Sequence, residues 1–302
     1  MDRFRLFLCC LFFLVAACSD APVSERSGEE LPAGRLFIIG GGKRPPAMIR
    51  YLVRLAGVDS SGYIAILPLA SEEPDSAAWY AIHQFLPHGV DPQRIRTFSV
   101  QHETPSPAWR DSLRDARLIY LTGGDQNRFM EQARAADLID LLQEAYRRGA
   151  TVAGTSAGAA VMSRKMITGN EHKHPEYTGD FRTIEAENLE VAEGLGLLPG
   201  ALVDQHFVYR MRMNRLITAA LDHPDETCIG IDESTAILVQ GDAIEVVGDG
   251  QVVVLTNPGK SRRIQDGLLG GIGLNLSVFL PGDRFTLDGR TLPVEQDGRR
   301  DQ

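Results

Sequence analysis

A single serine, Ser156, lies at the centre of a run of small residues. The run reads GTSAG at residues 154–158; an apolar, strand-like segment precedes it and an alanine-rich, helix-like segment follows it. Small residues let a strand turn sharply into a helix, which holds the central hydroxyl in a strained and exposed position. A nucleophile needs this geometry. Ordinary strand-to-helix turns use the same residues, so the partners of the serine must decide between the two interpretations.

A serine hydroxyl attacks well only when a base accepts its proton and a further group orients that base. Of seven histidines, only His206 directly follows a predicted strand, in VDQHF at residues 203–207. Site residues of α/β folds gather at the carboxyl ends of strands. The next predicted strand ends in Asp232 and Glu233. Because side chains alternate along a strand, only one of these carboxylates can face the imidazole, and the pattern leaves the choice open.

Several other classes of site are disfavoured. The order serine, histidine, acid differs from that of α/β-hydrolases, in which the acid precedes the histidine. The sequence GGGKR at residues 40–44 lacks the earlier glycine of a P-loop and the histidine of an esterase oxyanion loop, so we interpret it as a tight strand–helix turn. Cys228 lies in an apolar strand-like segment and is interpreted as a small buried hydrophobe rather than a second nucleophile.

Two further features bear on the substrate. Backbone N–H groups of the turn TGGDQ at residues 122–126, together with the N–H of Ala157, are candidates for stabilising an oxyanion, although Asp125 also fits a helix N-cap. Three arginines follow His206 closely: Arg210, Arg212 and Arg215. Arginine binds carboxylates in a bidentate manner, so an anionic substrate is indicated; a solvated basic helix is the alternative.

The amino terminus has the pattern of a secretory signal. Residues 1–5 are net positive, the apolar run that follows is too short to span a bilayer, and it ends in VAAC at residues 15–18. This pattern resembles a bacterial lipobox and predicts a signal peptide over 1–17, lipid modification of Cys18 and, with Ser19 next to it, an outer-membrane location. Ordinary secretion and an uncleaved anchor are the alternatives. A polar tether is predicted over 18–33.

Composition and periodicity indicate the fold class. The 302 residues are 43% hydrophobic and carry a formal net charge of −9, which supports a buried core and disfavours general affinity for nucleic acid. Apolar runs and helical patterns alternate up to the Ser156 turn, and clustered strands follow it. We predict an α/β fold with a three-layer, mostly parallel sheet, helices on both faces and an antiparallel edge element, over residues 34–292, with a polar tail at 293–302.

Five motifs in this order resemble those of the cyanophycinase-like S51 serine peptidases. These proteins are relatives of aspartyl dipeptidase and have the class I glutamine amidotransferase-like fold. The resemblance extends over most of residues 35–290. The motifs are FIIGGG at 37–42, GGDQ at 123–126, GTSAGA at 154–159, DQHF at 204–207 with the three arginines, and GIDE at 230–233 with Thr235 and Ala236.

The resemblance implies roles for residues of four of these motifs. Ser156 would be the nucleophile, His206 the general base and Glu233 the orienting acid, with Gly124 and Ala157 forming the oxyanion hole. A substrate pocket would be lined by Gln126, Asp204, Gln205, Arg210, Arg212 and Arg215. The implied substrate is cyanophycin, a polyaspartate with arginine on its side chains, cleaved to β-Asp-Arg dipeptides by an exopeptidase. No metal or cofactor is implied, and a homodimer is expected.

One segment departs from the family pattern. Between Met166 and Gly194 the family has a short loop with a Ser-Pro pair, whereas here the segment is longer and lacks that pair. Catalysis is therefore better supported than the identity of the substrate. Two other functions stay open: an aspartyl dipeptidase that acts on small peptides, and a non-catalytic lipoprotein that binds peptides on the same fold.

Overall fold

The computed structural model describes residues 32–100, 105–176 and 178–293, which all belong to one compact unit of the chain, residues 31–302. The predicted signal peptide, Cys18, nearly all of the tether and residues 294–302 lie outside the described residues. Within the described ranges, no helix is long and apolar enough to cross a bilayer.

Strands and helices alternate through the first half of the chain, as the sequence predicts, and strands dominate the second half. The strands are β1 (Arg35–Ile39), β2 (Ile64–Leu67), β3 (Ile95–Thr97), β4 (Leu118–Leu121), β5 (Thr151–Thr155), β6 (Lys165–Glu171), β7 (Leu189–Glu193), β8 (Ala201–Gln205), β9 (Thr227–Ile231), β10 (Thr235–Gln240), β11 (Ala243–Gly248), β12 (Val252–Thr256), β13 (Arg263–Gln265), β14 (Leu268–Gly270), β15 (Asn275–Phe279), β16 (Arg284–Thr286) and β17 (Thr291–Leu292). The helices are α1 (Pro46–Ala56), α2 (Pro74–Phe85), α3 (Pro107–Arg114), α4 (Gln126–Ala135), α5 (Ile139–Arg147), α6 (Ala157–Ala160) and α7 (Met213–Asp222).

The main sheet has nine strands in the order β17-β16-β11-β10-β1-β5-β4-β2-β3. The five strands from β1 to β3 in this order are mutually parallel. Side chains of β1 alternate between two separate cores: Leu36 and Ile38 pack with α3 to α6, while Phe37 and Ile39 pack with α1 and α2. The sheet is therefore covered by helices on both faces, which confirms the predicted three-layer α/β architecture.

The antiparallel part is larger than the predicted edge element. Strands β10, β11, β16 and β17 extend the main sheet in antiparallel fashion from β1. Strands β15, β12, β9 and β8 form a second sheet, in which only β8 and β9 are parallel. One face of this sheet shares the core that contains α3 to α6, and the other face packs against α7.

The turns in this region have different roles. The glycine and aspartate residues at 241–242 and 248–250 predict two hairpins. The turn at residues 241–242 closes the first of them, between β10 and β11. The hairpin predicted at residues 248–250 is wrong, because β11 belongs to the main sheet and β12 to the second one. Both strands are rich in β-branched residues that suit any buried partner, so local sequence does not choose between the pairings.

Two helices differ from the pattern in the sequence. The helical pattern over 126–148 divides into α4 and α5 at Asp137, whose φ of 52° interrupts the right-handed helix. The helix predicted over 209–221 begins only at Met213, because residues 207–211 form a separate turn after β8. Both differences follow from backbone conformations that hydrophobic periodicity does not reveal.

Candidate active site

Ser156 stands between β5 and the short helix α6 in a strained backbone conformation. Its φ and ψ are 54° and −114°, a combination that costs a non-glycine residue about 1–3 kcal/mol. The surrounding hydrogen bonds hold this conformation: the Ser156 N–H donates to the Ile39 carbonyl at 3.1 Å, and the Ser156 carbonyl accepts from Ala159 at 2.9 Å. The hydroxyl is thereby presented at the carboxyl edge of the main sheet, as the GTSAG motif predicts.

Three side chains that are distant in sequence form one chain of hydrogen bonds. The His206 Nε2 lies 2.9 Å from the Ser156 Oγ, and the His206 Nδ1 lies 2.6 Å from the Glu233 Oε1. The serine comes from the main sheet, whereas His206 follows β8 of the second sheet and Glu233 follows β9. This is the arrangement that nucleophilic catalysis by serine requires.

The neighbouring carboxylates, between which the local pattern did not decide, have separate contacts. Glu233 contacts the imidazole. The Asp232 Oδ1 instead accepts hydrogen bonds from the backbone N–H groups of Val208 at 3.1 Å and Tyr209 at 2.9 Å. Asp232 therefore stabilises the turn that follows His206, and Glu233 is the group that can orient the ring.

The environment of His206 favours its neutral form. Burial lowers the pKa of His206 below its ordinary value, the Glu233 hydrogen bond opposes this shift, and the charge of Arg210 adds to it. The side chain is only 10% exposed. A neutral imidazole at neutral pH is able to accept the proton of the serine hydroxyl.

The glycine turn after β1 packs directly against the hydrogen-bonded chain. A Cβ atom added to Gly41 would lie 2.3 Å from the Cε1 atom of His206, and one added to Gly42 would lie 2.7 Å from the Glu233 side chain. The Gly40 carbonyl also accepts the His206 N–H at 2.7 Å. The local sequence predicts only a strand–helix connection at this turn. The turn also forms a wall for the imidazole, because Gly41 contacts His206, which lies 165 positions further along the chain, and no local pattern indicates such a contact.

A polar cavity of about 300 Å³ opens beside Ser156. It brings together most of the residues that the sequence assigns to substrate and oxyanion binding. Those that line it are Gly124, Gln126, Gln205, Arg210, Arg212 and Arg215. Ala157 follows Ser156 at the start of α6, next to the cavity. The donor roles of Gly124 and Ala157 toward an oxyanion stay predictions.

The predicted pocket residue Asp204 lies behind the cavity. Its side chain is fully buried, and its carboxylate forms an ion pair with Arg215, whose Nε donates to the Asp204 Oδ2 at 2.8 Å. Arg212 donates to the Gln205 carbonyl at 2.6 Å and lies 3.7 Å from the Asp204 Oδ1. Asp204 thus positions the arginines instead of contacting a substrate, because a buried pair of this kind needs both charges.

Strand β6 supplies lining residues that the sequence did not indicate. Thr168, Gly169 and Asn170 border the cavity, and the Gln126 side chain donates to the Ile167 carbonyl at 3.1 Å. These residues belong to the segment that departs from the family pattern. It forms a hairpin of β6 and β7, so its unusual sequence borders the space available to a substrate.

Other candidate groups have structural contacts. Cys228 is buried in β9, and burial raises the pKa of its thiol, so a thiolate nucleophile is disfavoured. His174 lies 2.7 Å from the Glu185 carboxylate. Over the described ranges, no group of three or more His, Cys, Asp or Glu side chains has the geometry of a metal site.

Comparison with known proteins agrees with this geometry. The family model described as "Peptidase family S51" matches residues 36–247. The cyanophycinase of Trichormus variabilis is 34% identical over 267 residues, which cover 85% of this chain and 87% of that protein. Peptidase E of Shewanella amazonensis is 28% identical over 155 residues, covering 49% of this chain and 60% of its own length.

The fold also resembles that of a solved structure. The crystal structure of a peptidase from an acI-B1 actinobacterium superposes with a TM-score of 0.58 at 22% identity, covering 84% of this chain and 96% of that one. Because the sequence match extends over most of the chain, the family assignment covers the strands that carry Ser156, His206 and Glu233. The chain belongs to peptidase family S51 and is a serine peptidase.

Proposed function

We propose that this S51 peptidase hydrolyses peptide bonds at aspartyl carbonyl groups and that cyanophycin is its polymeric substrate. The observation that carries the proposal is the hydrogen-bonded chain of Ser156, His206 and Glu233, whose serine borders a cavity lined by three arginines. The relatives named cyanophycinase support the choice of polymer. The expected products are β-Asp-Arg dipeptides.

The geometry supports an acyl-enzyme route. The Ser156 Oγ attacks the aspartyl carbonyl carbon while His206 Nε2 accepts the hydroxyl proton, and the oxyanion faces the N–H groups of Gly124 and Ala157. The C–N bond then breaks as His206 returns the proton to the departing amine. A water molecule, deprotonated by His206, next attacks the ester; the Ser156 Oγ leaves with that proton and the aspartyl acid is released.

The charges of the cavity fit the acyl half of this substrate. In cyanophycin each aspartyl side chain is joined to an arginine, so the carboxylates that flank a scissile bond are the free α-carboxylates of those arginines, and Arg210, Arg212 and Arg215 present guanidinium groups at the cavity wall. Arg212 and Arg215 are held in place by contacts with Gln205 and Asp204. Guanidinium groups fixed in this way bind a carboxylate with little loss of side-chain freedom.

A second candidate is a dipeptidase that acts on small aspartyl peptides. Two observations favour it: the β6–β7 hairpin, which departs from the family pattern, borders the cavity, and peptidase E relatives match about half of the chain. Such an enzyme would use the same nucleophile and the same arginines. It would fail to degrade the insoluble polymer.

The deciding experiment is incubation of the purified protein with insoluble cyanophycin and, separately, with a panel of aspartyl dipeptides. Release of β-Asp-Arg by the wild type and by a Ser76→Ala control, but not by Ser156→Ala, would support both nucleophile and polymer; Ser76 is exposed at the start of α2. Hydrolysis of dipeptides alone would favour the dipeptidase. Binding of peptide without hydrolysis would favour a non-catalytic peptide-binding lipoprotein.

We propose further that the enzyme is extracytoplasmic and attached to the outer membrane through a lipid on Cys18. The support is the sequence pattern alone: a basic start, a short apolar run and VAAC before the tether. Growth of the producing bacterium with a labelled fatty acid tests this. Label in the membrane-bound wild type and its loss in Cys18→Ala are expected; an unlabelled wild type would contradict the anchor.

A further inference from the structure

A second cavity, of about 270 Å³, also opens at Ser156. The two cavities share only Ser156 among the described residues that line them. The imidazole of His206 borders the second cavity, together with the glycine turn at Gly41. It does not border the first cavity, which is lined by Arg210, Arg212 and Arg215 and is called the arginine cavity below. The nucleophile therefore stands between two spaces of different chemistry.

The position of the imidazole assigns the two halves of a substrate to the two cavities. After the bond breaks, His206 Nε2 must give its proton to the departing nitrogen, so the leaving group has to lie on the side of the imidazole. The acyl half then occupies the arginine cavity, next to Gly124. The second cavity is the space that remains for the leaving group.

One permanently charged residue, Arg44, lines the second cavity within the part of the chain that the structure describes. Its guanidinium group is held from two sides: Nη1 donates to the Gly42 carbonyl at 2.8 Å and Nε donates to the Gln84 Oε1 at 3.0 Å. These bonds use two of the five N–H donors of the side chain. Across residues 32–100, 105–176 and 178–293, no carboxylate forms a salt bridge with Arg44.

The remaining wall of the cavity is uncharged. Tyr80 of α2 contributes an exposed aromatic ring, and Tyr120 at the end of β4 lies buried beneath. A fixed guanidinium in such a space, with most of its donors still available, is suited to a carboxylate and unsuited to a second cation.

We propose that Arg44 binds the backbone carboxylate of the leaving group and so directs this peptidase to the bond that precedes a carboxy-terminal unit. The inference rests on the proposed function, which places the aspartyl half in the arginine cavity. It identifies Arg44 as a residue that determines specificity and distinguishes chain ends from chain interiors: an interior bond has an amide where a terminal unit has its free carboxylate.

The test compares two substrates made of two β-Asp-Arg units. One has a free backbone carboxylate on the leaving unit, and the other has a carboxamide at that position, while the arginine carboxylate is free in both; a matching pair of aspartyl dipeptides is measured in parallel. For the wild type we expect kcat/KM to be about 10- to 100-fold higher for the acid than for the amide, chiefly through KM, as a hydrogen-bonded charge pair predicts.

Two variants identify the residue responsible. Arg44→Gln should reduce the acid-to-amide ratio to near one, Arg44→Lys should restore part of it, and the control Lys43→Gln, which removes an exposed neighbouring charge outside the cavity lining, should keep the wild-type ratio. An equal loss on both substrates in Arg44→Gln would mean that Arg44 only supports the glycine turn, and would overturn the inference.

The measurements distinguish a failure of the role proposed for Arg44 from a failure of the proposed function. A wild type that hydrolyses acid and amide equally well would leave the proposed function intact and refute the role of Arg44. A wild type that hydrolyses none of these substrates would refute the proposed function and the inference with it.

Discussion

Ser156 and His206 both adopt positive φ values, 54° and 50° respectively, in a protein where most non-glycine residues avoid them. Each such conformation costs about 1–3 kcal/mol and persists only where the surroundings fix it. Here β1 provides that support, because the Ile39 carbonyl accepts the Ser156 N–H and the Gly40 carbonyl accepts the His206 N–H. The Ser156 hydroxyl and the His206 imidazole are thus aligned by one short backbone segment.

The first prediction at the residue scale concerns pH. Because burial lowers the pKa of His206, kcat/KM should fall to half its plateau at a pH below the ordinary histidine value of about 6.5. Glu233→Gln removes the group that raises the pKa, so the acid limb should move to still lower pH while the plateau falls by about 10²–10⁴-fold. Measured pH–rate profiles test both effects, with Glu131→Gln, an exposed change on α4, as control. An upward shift of the limb in Glu233→Gln would contradict the assignment.

A second prediction concerns the glycine turn. Gly41→Ala places a methyl group where the His206 ring now lies, so we expect kcat to fall at least about tenfold through displacement of the base. Gly57→Ala is the matched control, since Gly57 also has a positive φ, of 69°, but has open space around its Cα atom. Gly57→Ala should lose about 1 kcal/mol of stability from backbone strain, and Gly41→Ala, with a φ of 116° and the overlap with the ring, should lose more. Equal kcat values in the two variants would show that the contact with the ring is unimportant.

Strand β8 and the turn after it carry several site residues within twelve positions. Gln205 and His206 face the two cavities, while Asp204 points into the protein and pairs with Arg215 of α7. Asp204 and Gln205 thus point in opposite directions, as strand geometry requires, and α7 is tied to the strand through an ion pair. The position of Arg215 at the cavity depends on this buried carboxylate.

The prediction at this scale is the effect of Asp204→Asn. The change removes the fully buried negative charge that pairs with Arg215, and it should reduce the free energy of unfolding by about 3–5 kcal/mol. It should also raise KM, because Arg215 lines the cavity. Chemical denaturation and steady-state kinetics measure these effects. Asp288→Asn, which removes the exposed partner of Arg290, is the control, and the idea fails if both variants are equally stable.

The molecule as a whole joins two sheets through a common core. Val203, Ile229 and Val254 of the second sheet lie in the same cluster of buried residues as Leu36, Leu121 and Val152 of the main sheet. Ser156 follows β5 of the main sheet, His206 follows β8 of the second sheet, and Glu233 lies between β9 of the second sheet and β10 of the main sheet, so the hydrogen-bonded chain forms only when this interface is packed. Activity should therefore report on the integrity of the entire core.

Stability of the whole molecule should decrease as the pH falls below the ordinary histidine pKa of about 6.5. Burial lowers the pKa values of His206 and His223, so below the ordinary histidine pKa of about 6.5 the unfolded chain takes up protons that the folded state resists. The free energy of unfolding, measured with urea, should be higher at pH 7.5 than at pH 5.5. His223→Gln should show a smaller decline, and His83→Gln, on the exposed face of α2, the wild-type decline. Equal stability of the wild type at both pH values would contradict this account.

The sequence by itself determined the class of fold and the identity of the hydrogen-bonded chain. Alternating apolar and helical segments predicted the covered parallel sheet, and the positions of Ser156 and His206 after predicted strands indicated the nucleophile and the base. These features follow from local periodicity and from the rule that strand ends gather at one edge of a sheet. The motif order then gave the family resemblance that selected Glu233.

Only the tertiary structure decided which groups meet across long distances in the chain. It separated β12 from β11 into a second sheet, placed Asp204 behind the cavity, and brought Gly41 against His206 and Arg44 into a cavity of its own. Each of these outcomes depends on packing between elements whose local sequences are compatible with several partners. The free energy that selects one arrangement comes from the whole buried core, and no short segment contains it.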